Sequence, residues 1–403
     1  MIDKHTSDNG LRVVLESIPT VRSVTIGIWI LTGSRNETEV NNGISHLIEH
    51  MLFKGTKKRS AKDIAEAFDS IGGQVNAFTS KEYTCYYARV IDTHKEFALE
   101  VLTDMFFNST FVKEELEREK KVVSEEIKMY EDAPDDIVHD LLAKAAFGDH
   151  SLGYPILGTD EHLKSFTQES LFEYKDTNYN PENVVVSVAG NVDKSFISTI
   201  EDYFTDFKKT GKKNEIKSPL FIGEDLRRTK DTEQAHLCFG YNGFAVDDDC
   251  LSSLAILNNV LGGTMSSRLF QEVREAKGLA YSVYSHHSSY LDSGLLTVYA
   301  GTGKESLSEL KTTVEQTIST LVSKGISDKE LNNSKEQLKG QIMLGLENTS
   351  SRMMRNGRNE LLLNKHRSLD DIVKEINAVD HQSIKSVSDK LFSQKPAIAL
   401  IAP

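Results

Sequence analysis

The chain has 403 residues, of which 39% are hydrophobic and 27% are charged, a balance typical of a folded globular protein. A chain of this length usually divides into two domains, because single hydrophobic cores stop growing at about 250–300 residues. The formal net charge of −13 argues against a nucleic-acid partner, since phosphate contacts require a basic face. The three cysteines are widely spaced, which favours neither a disulfide framework nor a zinc knuckle.

The N-terminal residues are polar and lack the apolar core of a signal peptide. No apolar run approaches the roughly 20 residues that would span a bilayer. We therefore expect a protein of a reducing compartment, the cytoplasm, with no membrane insertion.

The first half of the sequence alternates strand and helix patterns. Val- and Ile-rich segments predict strands, and apolar residues at helical spacing predict helices. The predicted strands cover residues 11–16, 23–31 and 184–189 and two strands within 74–90; the predicted helices cover residues 43–53, 61–71, 93–107, 114–130 and 194–207.

Residues 208–219 contain five lysines and almost no apolar side chain, a composition typical of a linker. The second half then repeats the plan of the first. Its predicted elements are a strand at 236–241, a helix at 251–261, a helix at 269–275, two strands within 280–300, and helices at 306–321 and 328–344. The sequence thus predicts an α+β protein with two similar domains, 1–207 and 220–403, each a mixed, largely antiparallel sheet packed against helices.

One segment of the first half carries a metal-binding pattern. His46 and His50 are four residues apart on the predicted helix 43–53, so both imidazoles project from one face and can reach a single tetrahedral zinc ion. Glu49 leans toward the same side, where it can accept a proton from a water molecule at the metal. The alternative is a surface helix whose two histidines are capped or ion-paired.

A catalytic zinc usually has a third protein ligand, and the predicted helix 114–130 offers several carboxylates. Glu119 and Glu126 are seven residues apart and therefore share a helix face. Sequence spacing alone does not choose among the candidates, most of which belong to a solvated acidic face. The candidates are Glu115, Glu117, Glu119, Glu125, Glu126 and Glu131.

Motif and context together resemble the pitrilysin/insulinase family of inverted zincins, which carry H-x-x-E-H, and in particular bacterial relatives of the mitochondrial processing peptidase beta subunit. The resemblance covers nearly the whole chain. It rests on Gly33-Ser34-Arg35-Asn36-Glu37, the H-x-x-E-H helix continuing into Phe53-Lys54-Gly55-Thr56, Gly72-Gly73-Gln74-Val75-Asn76-Ala77-Phe78-Thr79, the stretch from Glu119 to Glu126, Pro155-Ile156-Leu157-Gly158, and Ser267-Arg268-Leu269-Phe270 leading into Arg274-Glu275.

The resemblance implies a zinc metalloendopeptidase of the processing-peptidase type. Glu126 matches the third zinc ligand, beside His46 and His50, and Glu119 matches a glutamate that supports the site. Glu49 matches the general base that activates water. Asn76 and Ala77, continuing into Phe78 and Thr79, match an edge strand that holds the substrate backbone as an added strand. Arg274 and Tyr281 match a pair that contacts the substrate and its oxyanion.

The resemblance also bears on assembly. Single-chain members of the family have four such domains, with zinc in the first and the Arg/Tyr pair in the last. This chain carries both features in two predicted domains, so we expect a homodimer in which each site is completed by the other copy. Two alternatives remain: a catalytically silent subunit of the same fold, and a peptidase that works only beside a different chain. The intact motif argues against the silent subunit.

The predicted duplication has a consequence for the second half. If residues 53–56 match 261–264, then His46, Glu49 and His50 fall opposite Leu254, Leu257 and Asn258. The second domain should therefore have the scaffold without the metal ligands.

Overall fold

The computed structural model describes residues 2–208 and 217–403. The predicted lysine-rich linker, 208–219, therefore lies largely outside the described residues. Within the described ranges, no helix combines the length and the apolar character needed to cross a bilayer.

Strands and helices alternate along both halves of the chain. The strands are β1 Ile2–Thr6, β2 Arg12–Ser17, β3 Ser23–Ile30, β4 Gln74–Thr79, β5 Thr84–Ile91, β6 Val184–Gly190, β7 Asp225–Thr229, β8 Ala235–Asn242, β9 Ser282–Ser289, β10 Gly294–Thr302 and β11 Ala397–Ala402. The α-helices are α1 Ile44–Leu52, α2 Ala61–Asp69, α3 Lys95–Asn108, α4 Lys113–Glu131, α5 Pro134–Phe147, α6 Asp160–Ser165, α7 Gln168–Asn178, α8 Phe196–Phe204, α9 Leu251–Leu261, α10 Leu307–Lys324, α11 Asp328–Gly345, α12 Thr349–Leu363, α13 Leu369–Ala378 and α14 His381–Leu391. A π-helix covers Phe270–Ala276.

The chain forms two compact units. Unit 1 comprises Met1–Lys128, Tyr154–Ile216 and Gly345–His366; unit 2 comprises Met129–Gly153, Lys217–Leu344 and Arg367–Pro403. Each half of the sequence thus contributes a segment to the unit built mainly by the other half. The predicted domains, 1–207 and 220–403, assign residues 129–153 to the first domain and 345–366 to the second, whereas the structure places them in the opposite units.

The sheet of unit 1 has the strand order β1-β2-β6-β3-β5-β4. β2 and β6 pair in parallel, and the other neighbours are antiparallel. Side chains alternate between the two faces of each strand. On β3, Ile26 and Ile28 point into the main core with α1 and α3, whereas Trp29 packs on the opposite face against α12. Both faces of the sheet are therefore covered.

Helix α12 approaches this sheet closely because one of its residues has no side chain. A Cβ atom at Gly357 would lie 2.2 Å from the indole nitrogen of Trp29. Polar contacts also hold the helix: the hydroxyl of Ser187 donates to the carbonyl of Met353 at 2.9 Å. Glu16 on β2 accepts from Arg352 at 2.5 Å and from Asn356 at 2.7 Å.

The sheet of unit 2 has the strand order β7-β11-β8-β10-β9, with β7 and β11 parallel and the other neighbours antiparallel. One face of this sheet packs against α9, α10 and α14. The other face packs against α5, whose Val138 and Leu142 are buried with Cys238 and Tyr299. Unit 2 repeats the architecture of unit 1, a sheet with helices on both faces.

The predicted α+β class with two mixed, largely antiparallel sheets is confirmed. The predicted strands at 11–16, 23–31, 184–189 and 236–241 are found as β2, β3, β6 and β8. The helix predicted at 269–275 is found as a π-helix, Phe270–Ala276. Several elements were not predicted from the sequence, among them β1, β7, β11, α5 and α12.

Lys175 is buried in unit 1, and its burial makes the stability of the fold depend on pH. Lys175 on α7 is 9% exposed, and its ammonium lies 5.7 Å from the centre of the Phe106 ring. Burial lowers the pKa of Lys175 from 10.5 to about 8, although the charge of Asp176 opposes the shift. Folding therefore carries a penalty below about pH 8, which fades as the pH rises toward 10.5.

We predict that Lys175→Met stabilises the protein by about 1–3 kcal/mol at pH 7, the size expected for a pKa lowered this far. The gain should shrink between pH 8 and pH 10.5, because the lysine of the unfolded chain then also loses its proton. Urea denaturation at both ends of that range measures the difference. The control is Lys62→Met, at an exposed lysine, and a pH-independent gain from Lys175→Met would contradict the explanation.

Candidate metal centre

Helix α1 begins at a buried carboxylate. Glu37 accepts hydrogen bonds from the backbone amides of Gly43 and Ser45, both at 2.8 Å, and from the side chain of Asn42 at 2.9 Å. These amides have no partner inside the helix, and a negative charge at a helix N-terminus is favourable. Glu37 therefore fixes where the metal-binding helix starts.

Gly43 is required at this start for two reasons. Its φ of +96° is one that residues with a side chain rarely adopt. A Cβ there would also lie 2.7 Å from the carbonyl oxygen of Leu157. Gly158, with φ of +71°, faces the same constraint, since its Cβ would lie 2.4 Å from the carbonyl of Asn42. The loop 155–158 thus packs directly on the N-terminus of α1.

His46 and His50 project from α1 toward Glu126 on α4. The Nε2 atom of His46 lies 3.7 Å from one carboxylate oxygen of Glu126, and Nε2 of His50 lies 3.5 Å from the other. One donor atom from each residue falls within 4.8 Å of the other two. Ligands around a tetrahedral zinc are separated by roughly 3.3 Å, given bonds of about 2.0–2.1 Å. The three side chains thus converge closely enough to share one ion.

The other glutamates that the sequence offers as candidates take different partners. Glu115, Glu117 and Glu125 form ion pairs along α4 with Arg118, Lys120 and Lys128, respectively, and Glu131 pairs with Arg228 in unit 2. Within the described residues, His46, His50 and Glu126 form the one group whose donors lie close enough for a metal ion. The structure therefore brings Glu126 to the histidines.

Glu119 contacts His50 and Lys54. Its Oε1 lies 2.9 Å from Nδ1 of His50, and its Oε2 lies 2.8 Å from Nζ of Lys54. Because a carboxylate only accepts, Nδ1 of His50 is the donor, which leaves Nε2 free to face Glu126. In the sequence, Lys54 is notable only as part of the segment 53–56. Its contact with Glu119 depends on tertiary structure, because the two residues are far apart in the chain.

Glu49 lies beside the donors and bonds to the edge of the sheet. The hydroxyl of Thr79, the last residue of β4, donates to Oε2 of Glu49 at 2.6 Å. β4 is an edge strand within the described chain, since it pairs with β5 on one side. Asn76 is exposed, and Ala77, Phe78 and Thr79 are half-buried along this strand.

Burial and neighbouring charges set the protonation of the cluster. Burial, together with the charge of His50, lowers the pKa of His46 to about 3, so its imidazole is neutral. Burial disfavours the charged form of His50, but its carboxylate neighbours outweigh this and raise its pKa. Burial raises the pKa of Glu49, although the hydrogen bond from Thr79 opposes the shift. A neutral imidazole is the form that binds a metal ion.

Arg274 and Tyr281 lie together in unit 2. The guanidinium carbon of Arg274 lies 4.6 Å from the ring centre of Tyr281 and 4.8 Å from that of Phe270. Tyr281 is 79% exposed, although it is a large aromatic residue. Arg274 has a carboxylate neighbour in Glu275, at 3.7 Å. The predicted pair is thus a stacked cation and ring on the surface of unit 2.

Comparison with known proteins identifies the family. Residues 12–160 match the model described as insulinase (peptidase family M16), and residues 165–338 match the peptidase M16 inactive domain. A Bacillus subtilis protein named uncharacterized zinc protease YmxG is 60% identical over 403 residues, which covers 100% of this chain and 98% of that protein. The chain belongs to peptidase family M16.

Solved structures of similar fold agree with this placement. A peptidase M16 inactive domain from Pseudomonas fluorescens superposes with a TM-score of 0.93 at 20% identity, covering 100% of this chain and 98% of that one. A chain of complex III2 from Candida albicans gives a TM-score of 0.87 at 21% identity, with coverage of 100% and 96%. At these identities the likeness concerns the fold alone.

Two residues of the second half that the predicted duplication places opposite the zinc motif are leucines. Leu254 and Leu257, predicted to fall opposite His46 and Glu49, are buried in the apolar core of unit 2. Helix α9 therefore packs these leucines into the core of unit 2. The metal-binding group that the described residues contain belongs to unit 1.

We predict that Glu126→Gln lowers the zinc affinity of the purified protein by more than the 10–100-fold typical of losing a supporting contact, because it removes a direct ligand. Zinc content after dialysis against a metal buffer measures the effect. Glu125→Gln is the matched control, one residue away and ion-paired with Lys128. Unchanged zinc in Glu126→Gln would remove this glutamate from the ligand set.

Proposed function

We propose that this chain is a zinc metalloendopeptidase that hydrolyses peptide bonds in extended or unfolded peptides. The observation that carries the proposal is the convergence of two imidazoles and a carboxylate, with the separate carboxylate of Glu49 beside them. The name zinc protease, carried by the Bacillus subtilis relative, supports both the metal and the reaction.

The donor set fits zinc. Two nitrogen donors and one oxygen donor match the ligands of catalytic zinc sites. His46 is buried, yet within the described chain its Nδ1 has no hydrogen-bond partner, and its Nε2 faces Glu126 at 3.7 Å. A buried imidazole with so few partners is costly unless an ion satisfies it. Zinc is the cofactor, and when bound it polarises the scissile carbonyl and makes a water molecule more acidic.

Glu49 accepts the proton of the attacking water. Thr79 occupies its Oε2, which leaves Oε1 to receive the proton and later to deliver it to the departing amine. Because Oε2 is held at 2.6 Å by a residue of β4, the carboxylate has a fixed orientation between the metal donors and the sheet edge. The base is therefore positioned before a substrate arrives.

The peptide binds as an added strand along β4. An edge strand offers backbone donors and acceptors that a peptide can pair with, whatever its side chains are. Asn76, Ala77 and Phe78 lie on this strand, and Thr79 at its end contacts Glu49. A peptide paired with β4 is thereby carried to the general base.

Arg274 and Tyr281 complete the site from a second copy of the chain. Two features support this: the guanidinium of Arg274 lies over the ring of Tyr281, and this large aromatic side chain is exposed. A guanidinium that lies over an aromatic ring is held in one orientation, so its N–H groups can donate to a carbonyl or oxyanion. The proposed assembly is a homodimer with two equivalent sites, working without nucleic acid or membrane insertion.

A second candidate function is a catalytically silent subunit, favoured by the fold shared with a chain of complex III2. The intact donor set of unit 1 opposes it. Metal analysis separates the two functions, since a silent subunit has no need of bound zinc. Turnover of a flexible peptide by the purified chain also separates the proposed enzyme from one that needs a different partner.

We predict that Glu49→Gln retains zinc and the fold while turnover of an unstructured peptide falls by at least the 10²–10⁴-fold typical of losing a general base. The amide keeps the shape of the side chain but cannot accept the proton. Steady-state hydrolysis and zinc content are measured on the same preparation. Near-normal kcat in a zinc-loaded Glu49→Gln protein would rule out this mechanism.

The homodimer is tested by mixing two inactive variants, Glu49→Gln and Arg274→Ala. If each site combines Glu49 of one copy with Arg274 of the other, one site of every mixed dimer is intact. Random exchange makes half of the dimers mixed, so about a quarter of wild-type activity should return.

Subunit exchange is verified separately, by mass spectrometry of differently labelled copies. Each variant mixed with itself serves as the control and should stay inactive. Demonstrated exchange without recovery would mean that Arg274 acts within its own chain or not in catalysis at all.

A further inference from the structure

Lys54 begins a chain of contacts that ends at the metal donors. It follows the last turn of α1, and its Nζ lies 2.8 Å from Oε2 of Glu119. The other oxygen of Glu119 lies 2.9 Å from Nδ1 of His50. Nε2 of His50 in turn faces Glu126 at 3.5 Å. The order of contacts is therefore Lys54, Glu119, His50 and the proposed metal position.

We propose that Lys54 is a positioning residue for zinc binding, acting through Glu119 on the imidazole of His50. The proposal rests on the proposed function only in that zinc is the metal held by His46, His50 and Glu126. The contact that carries the proposal is the one between the Lys54 ammonium and Glu119.

Because Glu119 is buried, its carboxylate needs a charged partner, and Lys54 supplies one. The side chain of Glu119 is 5% exposed, whereas that of Lys54 is 30% exposed. Leu116, Glu119 and Val123 are the buried residues of α4 in unit 1, so Glu119 is the charged member of an otherwise apolar stripe. Without Lys54, Oε2 of this carboxylate would lose its charged partner, and the group would be free to turn away from His50.

The backbone holds Lys54 in place. Its amide donates to the carbonyl of Met51 at 3.1 Å, which closes the C-terminus of α1. The next residue, Gly55, has φ of +121° and accepts from the amide of Thr110 at 3.2 Å. The lysine therefore leaves the chain from a fixed turn, and its side chain spans a short, defined path to Glu119.

The test measures the rate at which zinc-loaded protein loses its metal to excess chelator. Supporting contacts of metal ligands are typically worth 10–100-fold in metal affinity, and we expect Lys54→Met to speed zinc loss about tenfold. Lys54→Arg should restore most of the wild-type rate, because it keeps a charged donor. Lys57→Met, at an exposed lysine three residues away, is the matched control and should change nothing.

A double-variant comparison separates positioning from a general loss of stability. In a Glu119→Gln background, Lys54→Met should have little further effect, because its route to His50 is already broken. Equal acceleration in both backgrounds, or wild-type zinc loss in Lys54→Met, would overturn the proposal. If Lys54→Met does not fold, Lys54→Gln is measured instead and is expected to change zinc loss in the same direction.

The outcome is distinguishable from failure of the proposed function. Were zinc not held by His46, His50 and Glu126, Glu126→Gln would leave zinc loss unchanged. If Glu126→Gln and Glu119→Gln both speed zinc loss while Lys54→Met does not, the metal site stands and the role of Lys54 alone is rejected.

Discussion

A hydrogen bond joins the helix of His46 and His50 to the helix of Glu126. Nδ1 of His50 on α1 and Oε1 of Glu119 on α4 lie 2.9 Å apart, although the residues are 69 positions apart in the chain. This bond orients the imidazole and selects its tautomer, while apolar residues of both helices, among them Leu47 and Leu116, are buried in one core. Glu126, two turns further along α4, then comes within reach of both histidines.

Other contacts within unit 1 position α1 and its side chains. Glu37 fixes the start of the helix, and the glycines at 43 and 158 let a loop pack closely on it. Thr79 ties Glu49 to the edge of the sheet. Glu37, Thr79 and Glu119, which contact α1, lie in different parts of the chain. The geometry of the candidate metal centre therefore depends on the packing of the whole unit.

The two units share an architecture but differ in chemistry. In each, a sheet has helices on both faces, and one covering helix comes from the other half of the sequence: α12 in unit 1 and α5 in unit 2. Helix α1 of unit 1 carries His46 and His50, whereas α9 of unit 2 buries leucines, and unit 2 exposes Tyr281 beside Arg274. Buried leucines need no polar partner, whereas buried polar groups do, so this part of the core of unit 2 requires no metal ion.

The sequence by itself determined the features that depend on local geometry. An i, i+4 histidine pair on a helix, glycines at the breaks and alternating strands follow from helical and extended periodicities, and the family resemblance added roles for Glu126, Glu119, Arg274 and Tyr281. Helical spacing left open which glutamate of α4 meets the histidines, because Glu119 and Glu126 share a helix face; the tertiary structure places Glu126 near both imidazoles and Glu119 against Nδ1 of His50. It also decided the exchange of α5 and α12, since periodicity shows which helix face is buried but not against which sheet it packs.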